Sequence, residues 1–178
     1  MFGRWLNRAT EVNQPLGSEQ LENAVRVELS TADEETVLVV TAMTGLLGIV
    51  GQADGDFSAA ERNHVREELS RISGLTGSGT AAICATLTRH IREISAVQMP
   101  RYCRVLRDLA DSELRIQVLD MLVALAAADL VVTTTETNII RQITSSLGLT
   151  QKDYNTAQAK HRERLAVLKG AQGQSPID

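Results

Sequence analysis

Residues 53–66, ADGDFSAAERNHVR, are matched further along the chain by residues 128–141, ADLVVTTTETNIIR, at an offset of 75 positions. The identical polar positions are Asp54 with Asp129, Glu61 with Glu136, Asn63 with Asn138 and Arg66 with Arg141. After a one-residue slip, the triplet GLT at 74–76 recurs at 148–150. Identities at equivalent places in the same order of predicted helices indicate that the chain repeats one helical unit.

An apolar helix is predicted immediately before each copy. Residues 36–53, TVLVVTAMTGLLGIVGQA, carry no charge, and residues 112–129, SELRIQVLDMLVALAAAD, carry one polar strip. The first segment is barely long enough to cross a bilayer, and its threonines, glycines and flanking acids favour the buried helix of a bundle. Each copy then opens an amphipathic helix, which leads through GLT to a further helix. The sequence therefore predicts an all-α, compact bundle of about seven to eight helices with an internal pseudo-twofold repeat.

Composition supports helices and argues against nucleic acid as a partner. The chain has 178 residues, of which 43% are hydrophobic and only 3% aromatic, so the core must be built from leucine, valine, isoleucine and alanine. Such a core favours helix packing over a β-sandwich. The net charge of -4 leaves no broad basic field for a phosphate backbone.

The repeat also sets the expected domain boundaries. We expect one helical domain over residues 18–169, with halves at about 33–96 and 112–169, a flexible lead-in over 1–17 and a disordered tail over 170–178. The first residues, MFGRWLNRAT, lack the apolar core and cleavage site of a signal peptide, which predicts a cytoplasmic protein. Trp5 beside Phe2 and Leu6 leaves open a peripheral contact with the inner face of a membrane.

The acidic turn in each copy has a structural interpretation. Gly55 suits the left-handed conformation that stops a helix, and we expect the first apolar helix to end at Asp54-Gly55. Ser58 and Glu61 have the spacing of a capping box, in which each side chain accepts a bond from the other residue's main chain. Thr133 and Glu136 repeat that spacing.

The same turns are also a candidate site for a divalent cation. The predicted ligands are Asp54, Asp56, Glu61, Asp129 and Glu136. The first turn resembles the second half of an EF-hand loop, but Val50 and Gln52 stand where that loop needs its first ligands. A shared site would require the two copies to bring their carboxylates together, and oxygen ligands of this kind suit Ca²⁺ or Mg²⁺.

Other chemistry is less well supported by the pattern. Glu61 and His64 have the Glu-x-x-His spacing of helical di-iron sites, but the second copy has no matching histidine, so we expect His64 at the surface. His90 and His161 fall at apolar helix positions and are expected to be hydrogen-bonded core or boundary residues. Cys84 and Cys103 are expected to be buried, reduced thiols. No catalytic arrangement of side chains stands out, and we expect no enzyme.

An apolar helix ending in QADGDFSAAE and repeated as AAADLVVTTTE resembles the TerB-like (tellurite-resistance protein B) family over roughly residues 30–168. The resemblance implies a compact all-α domain of about seven helices with internal pseudo-symmetry. It associates the acidic turns with divalent cations, and it implies a role in tellurite resistance, other stress responses or complexes at the inner face of the bacterial membrane. The first motif is intact at Asp54, Gly55 and Glu61, whereas Leu130 stands where the second motif would have glycine.

The functional expectation is a non-catalytic module that binds protein partners in a bacterial stress-response or membrane-linked complex. The alternative is a cation-dependent sensor or regulatory domain, in which a metal ion bridges the turns. The sequence predicts no cofactor other than such a cation, and it does not identify the partner or the oligomeric state.

Overall fold

Helices make up all the regular secondary structure of the computed structural model, which describes residues 17–94, 96–128 and 133–172. The α-helices are α1 (Gly17–Glu28), α2 (Glu34–Gly51), α3 (Ala59–Ser70), α4 (Gly77–His90), α5 (Met99–Leu109), α6 (Ser112–Ala126), α7 (Thr134–Ser146) and α8 (Gln151–Gln172). A short 3-10 turn, Ala96–Gln98, precedes α5. No strand occurs in these ranges, and the prediction of an all-α fold with seven to eight helices is confirmed.

Helix α2 forms the centre of the bundle. It begins at Asp33, whose carboxylate accepts a bond of 2.7 Å from the main-chain N–H of Thr36. From Val40 to Gly51 every residue is buried. The buried hydroxyls of Thr41 and Thr44 donate to carbonyls four residues earlier in the same helix, so they enter the core without losing a partner.

The length and composition of α2 would also suit a membrane span, and it is the one such helix in the part of the chain that the structure describes. Within the fold, however, 72% of that span is buried against other helices. A bundle core explains its apolar character, as the sequence predicted.

Glycines on α2 allow its neighbours to approach closely. A Cβ atom at any of three glycines would lie within 2.7 Å of a neighbouring side chain, which is closer than such atoms approach in proteins. The contacts join Gly45 to the ring of Tyr102, Gly48 to Leu87 and Gly51 to the ring of Phe57. Side chains from three different elements therefore lie directly against the α2 main chain.

The two copies have equivalent helix boundaries. Helix α2 ends at Gly51 and α6 at Ala126, while α3 begins at Ala59 and α7 at Thr134, all at the offset of 75 found in the sequence. The packing is reciprocal, because α2 contacts α6, α3 packs on α6 and α7 packs on α2. The last helix of each copy keeps the symmetry, since α4 packs on α2 as α8 packs on α6. Helices α1 and α5 break it, because α1 packs on α2 and α4 and α5 packs on α2.

The ends of the domain lie close to the predicted boundaries. Helix α1 begins at Gly17, one residue before the predicted start, and α8 continues to Gln172, three residues past the predicted end at 169. The remaining residues of the predicted lead-in and tail, with Phe2, Trp5 and Leu6 among them, lie outside the described residues.

Candidate site at the acidic turns

The first acidic turn connects α2 to α3 over seven residues. Helix α2 ends at Gly51, three residues before the predicted stop, because the N–H of Ala53 bonds to the carbonyl of Val50, three residues back, instead of continuing the α-helical pattern. Gly55 does adopt the predicted left-handed conformation, with φ of 95°, but it lies inside the turn. Asp54 stabilises this turn by accepting a 3.1 Å bond from the main-chain N–H of Asp56.

Glu61 is a buried residue that caps the start of α3, at the end of the first acidic turn. Its carboxylate accepts a 2.8 Å bond from the N–H of Ser58, and the hydroxyl of Ser58 accepts one of 3.1 Å from the N–H of Glu61. The capping box predicted from the sequence is therefore confirmed. Glu61 is only 5% exposed, and it lies near Gly51, at the end of α2. This carboxylate therefore caps α3 and lies beside the end of α2.

Glu136 has the same role in the second copy. Its carboxylate accepts a 2.6 Å bond from the N–H of Thr133 and a 2.8 Å bond from the Thr133 hydroxyl. That hydroxyl in turn accepts from the N–H of Glu136, which completes the second predicted capping box. Glu136 is also 5% exposed. A glutamate this deeply buried is stable because main-chain donors bind it at the positive end of a helix.

The five predicted cation ligands divide into three groups. Glu61 and Glu136 are buried caps, Asp54 and Asp56 are exposed, and Asp129 lies outside the described residues. Within residues 17–94, 96–128 and 133–172, no three carboxylate, histidine or cysteine side chains are placed to hold a metal ion. These residues therefore do not fit a closed cation site, and the predicted convergence of the two turns stays a prediction.

His64 is half-buried, and the expectation of a surface residue was wrong. Helix α3 packs on α6, which brings the His64 imidazole against the main chain of Met121. Burial lowers the pKa of His64, although Glu68, with its carboxylate 3.9 Å from Nε2, raises that pKa in opposition. The repeat already indicated that this position is partly buried, because His64 aligns with Ile139, an apolar residue that packs against the core.

The other two histidines are hydrogen-bonded, as predicted. Nδ1 of His90 lies 3.2 Å from a carboxylate oxygen of Glu93 at the boundary of the protein. His161 is 7% exposed, and its Nε2 lies 3.0 Å from Asp120 on α6. Lys160 pairs with the other oxygen of Asp120. In the sequence, Asp120 appeared only as part of a polar strip, because its partners Lys160 and His161 are 40 and 41 positions further along the chain.

The two cysteines are free thiols in different environments. Cys103 is buried in the core, and burial raises its pKa to about 11. Cys84 is only partly buried, contrary to expectation, because α4 turns it toward a surface groove beside α3. Burial raises the pKa of Cys84 as well, while nearby Arg66 opposes that shift.

Comparison with known proteins identifies one family. The model of the family described as "Tellurite resistance protein TerB" matches residues 40–159. This range starts within α2 and ends within α8, so it includes both capped corners. No curated protein and no solved structure matches the chain.

Proposed function

The chain belongs to the tellurite resistance protein TerB family, and we propose that it is a non-catalytic interaction module of a bacterial stress-response complex. The partner would be a protein with a basic surface rather than nucleic acid. The complex would be cytoplasmic, either free or at the inner face of the membrane.

The proposal rests on the different positions of the carboxylates in the first acidic turn. In the first acidic turn, Glu61 is buried and occupied as a cap, whereas Asp54 and Asp56 are exposed on either side of Gly55. The capping box fixes the α3 end of the turn, and the bond from the N–H of Asp56 to the Asp54 carboxylate orders its interior, so the two aspartates are presented from a hydrogen-bonded turn. Preorganised surface charges of this kind favour binding of an oppositely charged partner, because little conformational entropy is lost on association.

The test removes these two charges without touching the caps. A tagged chain carrying Asp54→Asn and Asp56→Asn is expressed in the native host during tellurite challenge, cross-linked, and purified from soluble and membrane fractions. The matched control carries Asp108→Asn and Glu113→Gln, which remove two exposed charges elsewhere. We expect the wild type and the control to recover the same partner and the double aspartate variant to lose it. Recovery of that partner by all three proteins, or of none by the wild type, would contradict the proposal.

A divalent cation at the same turn is the second candidate function. Asp54 and Asp56 are both exposed and lie two residues apart. Such a pair of carboxylates can hold a hydrated cation, and a partner protein would supply the remaining ligands. A cation-dependent regulator would melt at a higher temperature with Ca²⁺ or Mg²⁺, and Asp54→Asn would abolish that shift. An unchanged melting temperature across Ca²⁺, Mg²⁺, Mn²⁺ and Zn²⁺ would exclude this function.

A further inference from the structure

A groove of about 510 Å³ lies between α3 and α4, and its lining includes neither Asp54 nor Asp56 of the first acidic turn. Its floor is made of small side chains, with the thiol of Cys84 among them. Arg62 and Arg66 line it from α3, and Arg89 lines it from the last turn of α4. This volume lies within the range of grooves that bind small molecules.

The charge of this groove is not neutralised within the described part of the chain. None of its lining residues is a carboxylate, and none of its three arginines makes an ion pair with a described residue. Helix α4 contains no acid at all, and Glu68 on α3 pairs with Arg71 and approaches His64 instead. Three arginines without a carboxylate partner among the described residues therefore line one groove, and one of them, Arg62, also donates to the main-chain carbonyl of Phe57.

The second copy of the repeat provides an internal comparison. Arg141, which aligns with Arg66, has its guanidinium 5.5 Å from the centre of the buried Tyr154 ring. Thr137 stands in place of Arg62, and after the one-residue slip Gln158 stands in place of Cys84. Gln158 donates a 2.9 Å bond to the hydroxyl of Tyr154. In the second copy, therefore, an aromatic ring from α8 contacts the arginine, and the pocket of about 300 Å³ that Thr137 and Gln158 line does not include Arg141.

We propose that the α3–α4 groove binds a small polyvalent anion that carries two or more phosphate groups. Guanidinium groups bind phosphate oxygens in pairs of hydrogen bonds, and the spread of three arginines along the groove suits more than one phosphate. Asn63 adds a neutral amide donor from α3, whereas the hydroxyl of Thr88 already donates a 2.9 Å bond to the carbonyl of Cys84. This site is separate from the acidic turn, so the proposal stands or falls independently of the proposed function.

The thiol of Cys84 is compatible with an anion in the groove, and its reaction rate can be used to detect anion binding. Because burial raises its pKa, the thiol stays protonated at neutral pH and adds no negative charge beside Arg66. Cys103 is shielded in the core, so an alkylating reagent applied to the folded protein reports on Cys84. An anion bound in the groove should slow that reaction.

The experiment titrates the purified full chain with inorganic pyrophosphate and with orthophosphate, using calorimetry at low salt. We compare the wild type with Arg66→Gln and Arg89→Gln, both exposed positions. The control is Arg104→Gln on α5, which changes the net charge by the same amount outside the groove. We expect pyrophosphate to bind more tightly than orthophosphate, and each groove variant to weaken it about tenfold or more, as loss of a charged hydrogen bond implies. Arg104→Gln should bind as the wild type does.

Two further results complete the test. Pyrophosphate should slow alkylation of Cys84 in the wild type and in Arg104→Gln, but not in Arg66→Gln. Absence of measurable pyrophosphate binding by the wild type would overturn the proposal. Equal weakening of pyrophosphate binding in all three variants would also overturn it, because it would show non-specific attraction to positive charge. Melting temperatures of the variants establish that each one is folded.

Discussion

Gly45→Ala should destabilise the protein, although the same change in a helix usually stabilises it. Gly45 lies in the middle of α2, where alanine is favoured over glycine by about 1 kcal/mol. A Cβ atom there would, however, lie 2.3 Å from Cε2 and 2.5 Å from Cζ of the Tyr102 ring. Tyr102 is 3% exposed, so its ring has no free space into which it can move.

The size of the effect follows from these two opposing terms. Overpacking a core costs about 1–3 kcal/mol, and a clash with rigid ring atoms belongs at the upper end of that range. After subtraction of the helix propensity, we expect a net loss of about 2 kcal/mol in the free energy of unfolding. For a chain of this length, that corresponds to a melting temperature lower by about 4–8 °C.

Urea titration and thermal melting followed by circular dichroism measure this loss. Gly77→Ala is the matched control, because Gly77 opens α4 and a Cβ there would meet nothing within 4 Å. We expect this control to be unchanged or to gain up to about 1 kcal/mol. In the background Tyr102→Leu, which removes the ring, the penalty of Gly45→Ala should shrink or disappear. A Gly45→Ala variant as stable as Gly77→Ala would refute the placement of Tyr102 against α2.

Four further substitutions test other parts of the fold. Tyr102→Phe removes a buried hydroxyl that has no hydrogen-bond partner among the described residues, so urea titration should show stability unchanged or higher by up to about 1 kcal/mol, and a clear loss would reveal a partner. Ser58→Ala and Thr133→Ala should each cost about 1 kcal/mol in urea titration through loss of a helix cap, whereas Ser145→Ala, at an exposed position in the last turn of α7, should cost less. Burial holds the pKa of His64 in the folded protein below its usual value. The stability that depends on neutral His64 is therefore fully present above about pH 6.5, and it is lost as the pH falls toward the lower pKa of the folded state. Urea titrations at several pH values should therefore show a steeper acid-side loss in the wild type than in His64→Ile, which carries the residue of the second copy; parallel curves would contradict this.

Features that depend on short sequence spacing were predictable. The capping boxes require only a hydroxyl and a glutamate three residues apart, and both Ser58 with Glu61 and Thr133 with Glu136 formed as expected. The pattern also predicted the two apolar helices at the centre, where α2 and α6 contact each other. Local hydrogen bonds and hydrophobic pattern are both encoded within one or two helical turns, so a single sequence is enough to recognise them.

Features that depend on distant partners were not predictable from the sequence. The bond between His161 and Asp120 joins residues 41 positions apart, and Gly45 shows no local sign that the Tyr102 ring lies against it. The burial of His64 depends on how α3 crosses α6. The arginines of the α3–α4 groove come from two helices, and only their packing reveals that no carboxylate accompanies them.

The buried glutamates Glu61 and Glu136 act first of all as helix caps. The decisive quantity is the free energy of unfolding of Glu136→Ala and Glu136→Gln, measured against wild type in excess EDTA and again in saturating Ca²⁺. We expect alanine to cost about 1–3 kcal/mol in both solutions and glutamine, which also serves in a capping box, to retain most of the stability. Equal stability of all three proteins in EDTA, with a loss for both variants only in Ca²⁺, would show that Glu136 is a metal ligand and not a cap.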